Sequence, residues 1–141
     1  MENIHLHYFL HGLIILMVGL LGGFPFASAI KHKTGKETAW RVVHSGSSMA
    51  GVMLIAIGIV TDYLCISPIL NCIIFWGIIS STYLFVVAMV LAAAKGQRGI
   101  GTKETPKTAT WKIVYYMYGA GAALSIVSIA LLIIVCAGNL L

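Results

Sequence analysis

Four long apolar stretches, each bounded by polar residues, dominate the chain. They run over residues 8–30, 41–61, 70–94 and 111–137. Each supplies the roughly 20 apolar residues that a helix needs to cross a hydrocarbon core about 30 Å thick. The pattern predicts an all-α membrane protein, a four-transmembrane-helix bundle with no separate soluble domain. Pro25 falls near the end of the first stretch, where it can kink the helix; neighbouring helices can satisfy the backbone group it frees.

Composition sharpens this picture. The chain has 141 residues, of which 60% are hydrophobic and only 9% charged. A soluble domain carries about 25% charged residues. The N-terminal Met1-Glu2-Asn3-Ile4-His5 lacks the basic region of a cleavable leader, so the first stretch is expected to remain in the bilayer.

The charge pattern gives an orientation. Lys31, Lys33, Lys36 and Arg41 flank the first connection, and Lys95, Arg98, Lys103, Lys107 and Lys112 flank the third. These two connections share one side, and they hold all nine basic residues. The positive-inside rule makes that side cytoplasmic, with both termini and the Asp62–Ile69 turn outside. The expected location is the inner (cytoplasmic) membrane, in which the protein is multi-pass. The net charge of +5 then reflects loops lying on anionic headgroups, with no nucleic acid needed as partner.

A weak internal repeat accompanies the charges. Lys36-Glu37-Thr38-Ala39-Trp40-Arg41 is echoed by Lys103-Glu104-Thr105 and then Trp111-Lys112. Either two hairpins of equal orientation descend from a duplication, or Trp and Lys/Arg recur here as interfacial anchors. A true repeat puts Tyr115 at the depth of His44.

His44 is the leading candidate for chemistry. At 1.5 Å per residue it lies about 5 Å inside the membrane, beside the small residues Gly46, Ser47, Ser48, Ala50 and Gly51. Hydrocarbon offers an imidazole no partner, so a ligand or a protein group must satisfy it. One reading makes His44 an axial ligand of haem iron. Arg41, one turn back, would then pair with a propionate, and Ser48, at i+4, would bond the other ring nitrogen. The other reading bonds His44 to a carbonyl of a neighbouring helix.

Further polar groups are more ambiguous. Ser80, Ser81 and Thr82 fit bonds within or between helices. Tyr83, next in line at mid-span, can donate to an oxygen that develops negative charge, or simply pack. Trp111, Tyr115 and Tyr118 follow helical spacing and suit either the wall of a haem or aromatic pocket or an interfacial belt; Tyr115 is also a conceivable iron ligand. His7 and His11 share a helical face, a spacing open to a divalent metal but better suited to a structural role. Cys65, Cys72 and Cys136 show neither zinc nor covalent-haem spacing, so haem would be held without a thioether. Glycines at 12, 19 and 22 and at 119 and 121 permit close helix packing, within or between chains.

These residues carry a resemblance. Trp40, Arg41, His44, Ser45, Gly46, Gly51, Met53, Ile55 and Ala56 resemble the second transmembrane helix of styrene oxide isomerases. His11-Gly12 with Leu16-Met17, and Tyr83-Leu84-Phe85, give weaker matches in the first and third stretches. The resemblance implies a homotrimer with haem b near its subunit interfaces and His44 as axial ligand. Ferric haem then acts as a Lewis acid on a hydrophobic epoxide, and Tyr83 holds the developing alkoxide. The chain departs from the family pattern at two positions. Ala50 stands where the pattern has asparagine, and Phe75 where it has aspartate. Two rivals need less: a non-catalytic haem protein (sensor, carrier or small cytochrome b), and a cofactor-free transporter or accessory subunit, which the lack of charged mid-span residues disfavours.

Overall fold

The computed structural model describes residues 3–96 and 108–140. Four helices account for nearly all of them: α1 (Ile4–His32), α2 (Glu37–Thr61), α3 (Pro68–Lys95) and α4 (Ala109–Leu140). All four are long and apolar enough to cross a membrane. Each extends at one or both ends beyond its apolar stretch, because helical hydrogen bonding continues where hydrophobicity stops. Helix α1 runs through Pro25 to a left-handed cap at Lys33. Helix α3 starts with Pro68 in its first turn behind the cap Ser67, and stops at Gly96, whose φ of 66° favours glycine. The second half of the sequence repeat, Lys103-Glu104-Thr105, lies outside the described residues, as do Arg98 and Lys107.

Small residues set how the helices meet. Helices α1 and α2 form an antiparallel hairpin in which Gly12 lies against Gly51 and Ile55, Gly19 against Ser48, Gly22 against Val43 and Gly58 against Tyr8. Helices α3 and α4 form a second antiparallel hairpin, with Gly77 against Ser128 and Gly121 against Ser81. Such contacts let backbones approach where lipid, as apolar as any side chain, offers no drive to associate.

The two hairpins join through α3. Tyr8 of α1 stacks edge-on against Phe75, ring centroids 4.9 Å apart, and Gly46 of α2 lies under Met89. Of the other three helices, α4 packs on α3. The core therefore sits among α1, α2 and α3, around Tyr8, Ile15, Leu54, Ile74 and Phe75. Two polar ties close the ends. Lys36 Nζ donates to Ala94 O at 2.9 Å at the end carrying the basic residues, and the Asn139 carboxamide accepts from Cys65 N at 2.8 Å at the other.

Candidate functional site

His44 is held by the α1–α2 hairpin. Its Nδ1 lies 2.8 Å from the carbonyl oxygen of Gly19. A carbonyl only accepts, so Nδ1 carries the proton and donates. A neutral imidazole has one ring proton, which leaves Nε2 as a bare lone pair. The ring edge rests over Gly23, where an added Cβ would meet Nδ1 at 3.4 Å, and Phe26 lies nearly parallel, with centroids 6.4 Å apart. The ring is half-buried, and among the described residues no group bonds Nε2.

Of the two readings of His44, the structure shows the second, a bond to a carbonyl of the neighbouring helix, and Nε2 is the ring nitrogen it leaves over for any ligand. The neighbouring helix does supply a carbonyl, and that bond fixes the tautomer a metal ligand needs. The partner differs from the one the spacing suggested. Ser48 donates to His44's own backbone carbonyl at 2.7 Å, so it braces the helix, and Gly19 takes the ring nitrogen instead. Sequence reasoning named Gly19 only as a packing glycine. Its carbonyl acts because the side chain that would cover it is missing.

Arg41 is exposed one turn nearer the basic end, and its carbonyl accepts from Ser45 Oγ. Among the described residues no carboxylate pairs with it. Lys31, Lys33 and Lys112 are likewise exposed.

The mid-span polar run of α3 divides in three. Ser81 donates to Gly121 O of α4 at 2.9 Å, and Thr82 donates back to Ile78 O at 2.8 Å. Only Tyr83 reaches α1, where its hydroxyl lies 3.0 Å from His11 Nδ1. His11 and His44 are well separated. Gly12 abuts Ile55, eleven positions along α2 from His44, about 16 Å at 1.5 Å per residue. His11 therefore cannot be a second axial ligand to an iron on His44 of the same chain, and Tyr83 sits at His11's level.

Tyr115 stands apart as well. It is exposed and stacks on Trp111 at 5.3 Å. With Tyr116, Tyr118 and Phe85 it lines an open apolar cleft of about 560 Å³ between α3 and α4. Helix α4 does not touch α2, so one chain does not bring Tyr115 to His44.

The remaining candidates have structural roles. His5 Nδ1 lies 3.0 Å from Asp62 Oδ1, bridging the start of α1 and the end of α2. His7 packs edge-on against Phe75 at 6.0 Å. Among the described residues no three His, Cys, Asp or Glu side chains cluster to hold a metal ion, and Cys65, Cys72 and Cys136 are free thiols.

The donor set suits a haem. It offers one pre-oriented imidazole with its lone pair free, a glycine-walled face beside it, and exposed cations one turn away. The family model described as styrene oxide isomerase matches residues 4–137. No curated protein and no solved structure gave a significant match.

Proposed function

Because the chain belongs to the styrene oxide isomerase family, we propose that it is a haem b-dependent membrane isomerase that converts a hydrophobic epoxide into an aldehyde or ketone without net redox change. The observation that carries this reading is the bond from His44 Nδ1 to Gly19 O. It leaves Nε2 as the nitrogen that would hold the iron, aimed and made more basic by the carbonyl behind Nδ1. When bound, ferric haem b would supply a Lewis-acid iron for the epoxide oxygen.

The chain's own residues supply the rest. Arg41 offers a propionate a bidentate cation at the membrane surface. Ser48 is turned back onto its own helix by its bond to the His44 carbonyl. Tyr83 offers a phenol to the oxygen on which charge develops. A substrate that partitions into lipid reaches such a site laterally. The positive-inside rule supports putting this end of the bundle on the cytoplasmic side of the inner membrane, against anionic lipid.

His44 and Tyr83 lie at different levels of one chain. In the homotrimer the resemblance implies, subunits related by an axis along the membrane normal keep that difference in level, so the isomerase reading needs haem and substrate together to bridge it between His44 and Tyr83. A non-catalytic haem protein needs His44 alone, and that separation is the observation in its favour.

Two measurements decide. The detergent-purified protein, expressed with haem supplied, should show a Soret band that His44→Ala abolishes and His11→Ala retains. A colourless wild type removes both haem readings. The coloured protein should convert styrene oxide to phenylacetaldehyde, with Tyr83→Phe keeping the band and losing turnover. Inactivity across several epoxides leaves the non-catalytic reading.

A further inference from the structure

Tyr83 and His11, which the resemblance matches separately, touch one another across α3 and α1. The phenol oxygen and the imidazole Nδ1 are 3.0 Å apart, and the rings meet edge to face at 5.7 Å and 90°. Phe75 occupies the position where the resemblance expects an aspartate. It is buried, and its ring lies 6.2 Å from that of His11. The neighbouring hydroxyls of Ser81 and Thr82 are engaged with carbonyls. An imidazole from α1, and no carboxylate from α3, therefore governs the Tyr83 hydroxyl.

The sense of this bond decides what Tyr83 can do. If the phenol donates, its proton is committed to His11 and the unused donor is the imidazole Nε2–H. If Nδ1–H donates, the phenol oxygen is the acceptor and its own O–H stays available. Only the second arrangement lets Tyr83 itself donate to an oxygen gaining negative charge. An ionised carboxylate could not provide it, because it only accepts and would draw the phenol proton to itself. A neutral imidazole can donate, adds no charge to the span, and makes the phenol a stronger donor through the cooperativity of linked hydrogen bonds.

We infer that His11, protonated on Nδ1, is a positioning residue that turns the Tyr83 hydroxyl proton away from α1 and toward the substrate oxygen. This assignment rests on the epoxide-isomerase reading. The bond sense itself can be measured without it.

The test begins with the full chain in lipid nanodiscs, its histidine rings labelled with nitrogen-15. The His11 Nδ1 resonance should be that of a protonated nitrogen, and Tyr83→Phe should move it while leaving His44 unchanged. A bare Nδ1 at His11 overturns the inference, whatever the protein's activity. Kinetics with styrene oxide then separate positioning from packing. His11→Leu should lower kcat by roughly tenfold or more, keep KM within about twofold, and leave the Soret band intact. His11→Asn, with an amide N–H near the same place, should recover part of the loss. In a Tyr83→Phe background His11→Leu should cost nothing further. Full turnover in His11→Leu, or losses that multiply in the double variant, would overturn the inference. A wild type with protonated Nδ1 and no epoxide turnover sinks the isomerase reading and the catalytic part of this assignment, and leaves the bond sense measured.

Discussion

His44 and Gly19 are joined across the α1–α2 hairpin by a bond of 2.8 Å that fixes both the tautomer and the direction of the imidazole. The bond depends on a close approach. A Cβ on Gly19 would fall 2.5 Å from both the backbone nitrogen and the hydroxyl of Ser48. Backbone cannot yield as a side-chain tip can, so the helices must separate.

Gly19→Ala is therefore expected to destabilise the protein by about 1–3 kcal/mol, as overpacking does, and to weaken haem retention along with it. Gly138→Ala is the control, since an added Cβ there meets nothing within 4 Å. Thermal unfolding in detergent, followed at the Soret band and by far-UV dichroism, separates the two. Equal melting of both variants would contradict the close approach.

The architecture was legible because membrane helices announce themselves through length and hydropathy. The four stretches and the basic connections needed no tertiary information. His44 was also legible, as an imidazole at a depth where it must be satisfied. Its partner was not. Ser48 stands at the right spacing on the same helix, but its hydroxyl is better placed for its own helix's carbonyl. Gly19's carbonyl carries no side-chain signal. The His11–Tyr83 contact joins positions 72 apart in sequence, and one-dimensional spacing cannot pair residues on helices whose rotation is unknown. Gly12, Gly19 and Gly22 of α1 gave the clue: a helix face stripped of side chains tells where the next backbone comes closest.

Ser47 offers a test whose sign runs against intuition. It is fully buried on α2, and among the described residues its hydroxyl has no hydrogen-bond partner. Burying such a group costs about 1–3 kcal/mol on mutational scales. Ser47→Ala should raise the melting temperature and leave the visible spectrum unchanged. A lower melting temperature would show that the hydroxyl has a partner, such as a buried water, in the assembled protein.

Lys36, the N-cap of α2, ties the start of that helix to the end of α3 by donating to Ala94 O at 2.9 Å, close to the left-handed Gly96 cap. A cation at a helix C-terminus is worth about 0.3–1 kcal/mol when exposed. Lys36→Met should cost about that much, and the cost should shrink in high salt. Lys33→Met, which removes an exposed cation at the end of α1, should cost less. Hydrogen exchange of the final turn of α3 is the direct readout, and unchanged protection would mean that the contact does not hold in the bilayer.

Phe75 permits the sharpest comparison between sequence pattern and structure. Placing there the aspartate that the resemblance expects looks like a repair of the pattern, but the structure predicts damage. Phe75 is 1% exposed, and its ring packs against Tyr8 at 4.9 Å, Trp76 at 5.2 Å and His11 at 6.2 Å. Phe75→Asp removes that ring, opens a cavity among the core residues of α1 and α3, and places a carboxyl there. Losing a buried phenylalanine costs about 3–5 kcal/mol, and an unpaired buried carboxyl adds to it. Phe75→Leu keeps the site apolar and should cost less than half as much. The aspartate also brings an acceptor-only group toward the His11–Tyr83 pair, so any folded fraction should lose turnover while its Soret band stays in place. A Phe75→Asp protein that melts like wild type and turns over epoxide faster would show that the aromatic wall is dispensable and that the family's carboxylate is compatible with this packing.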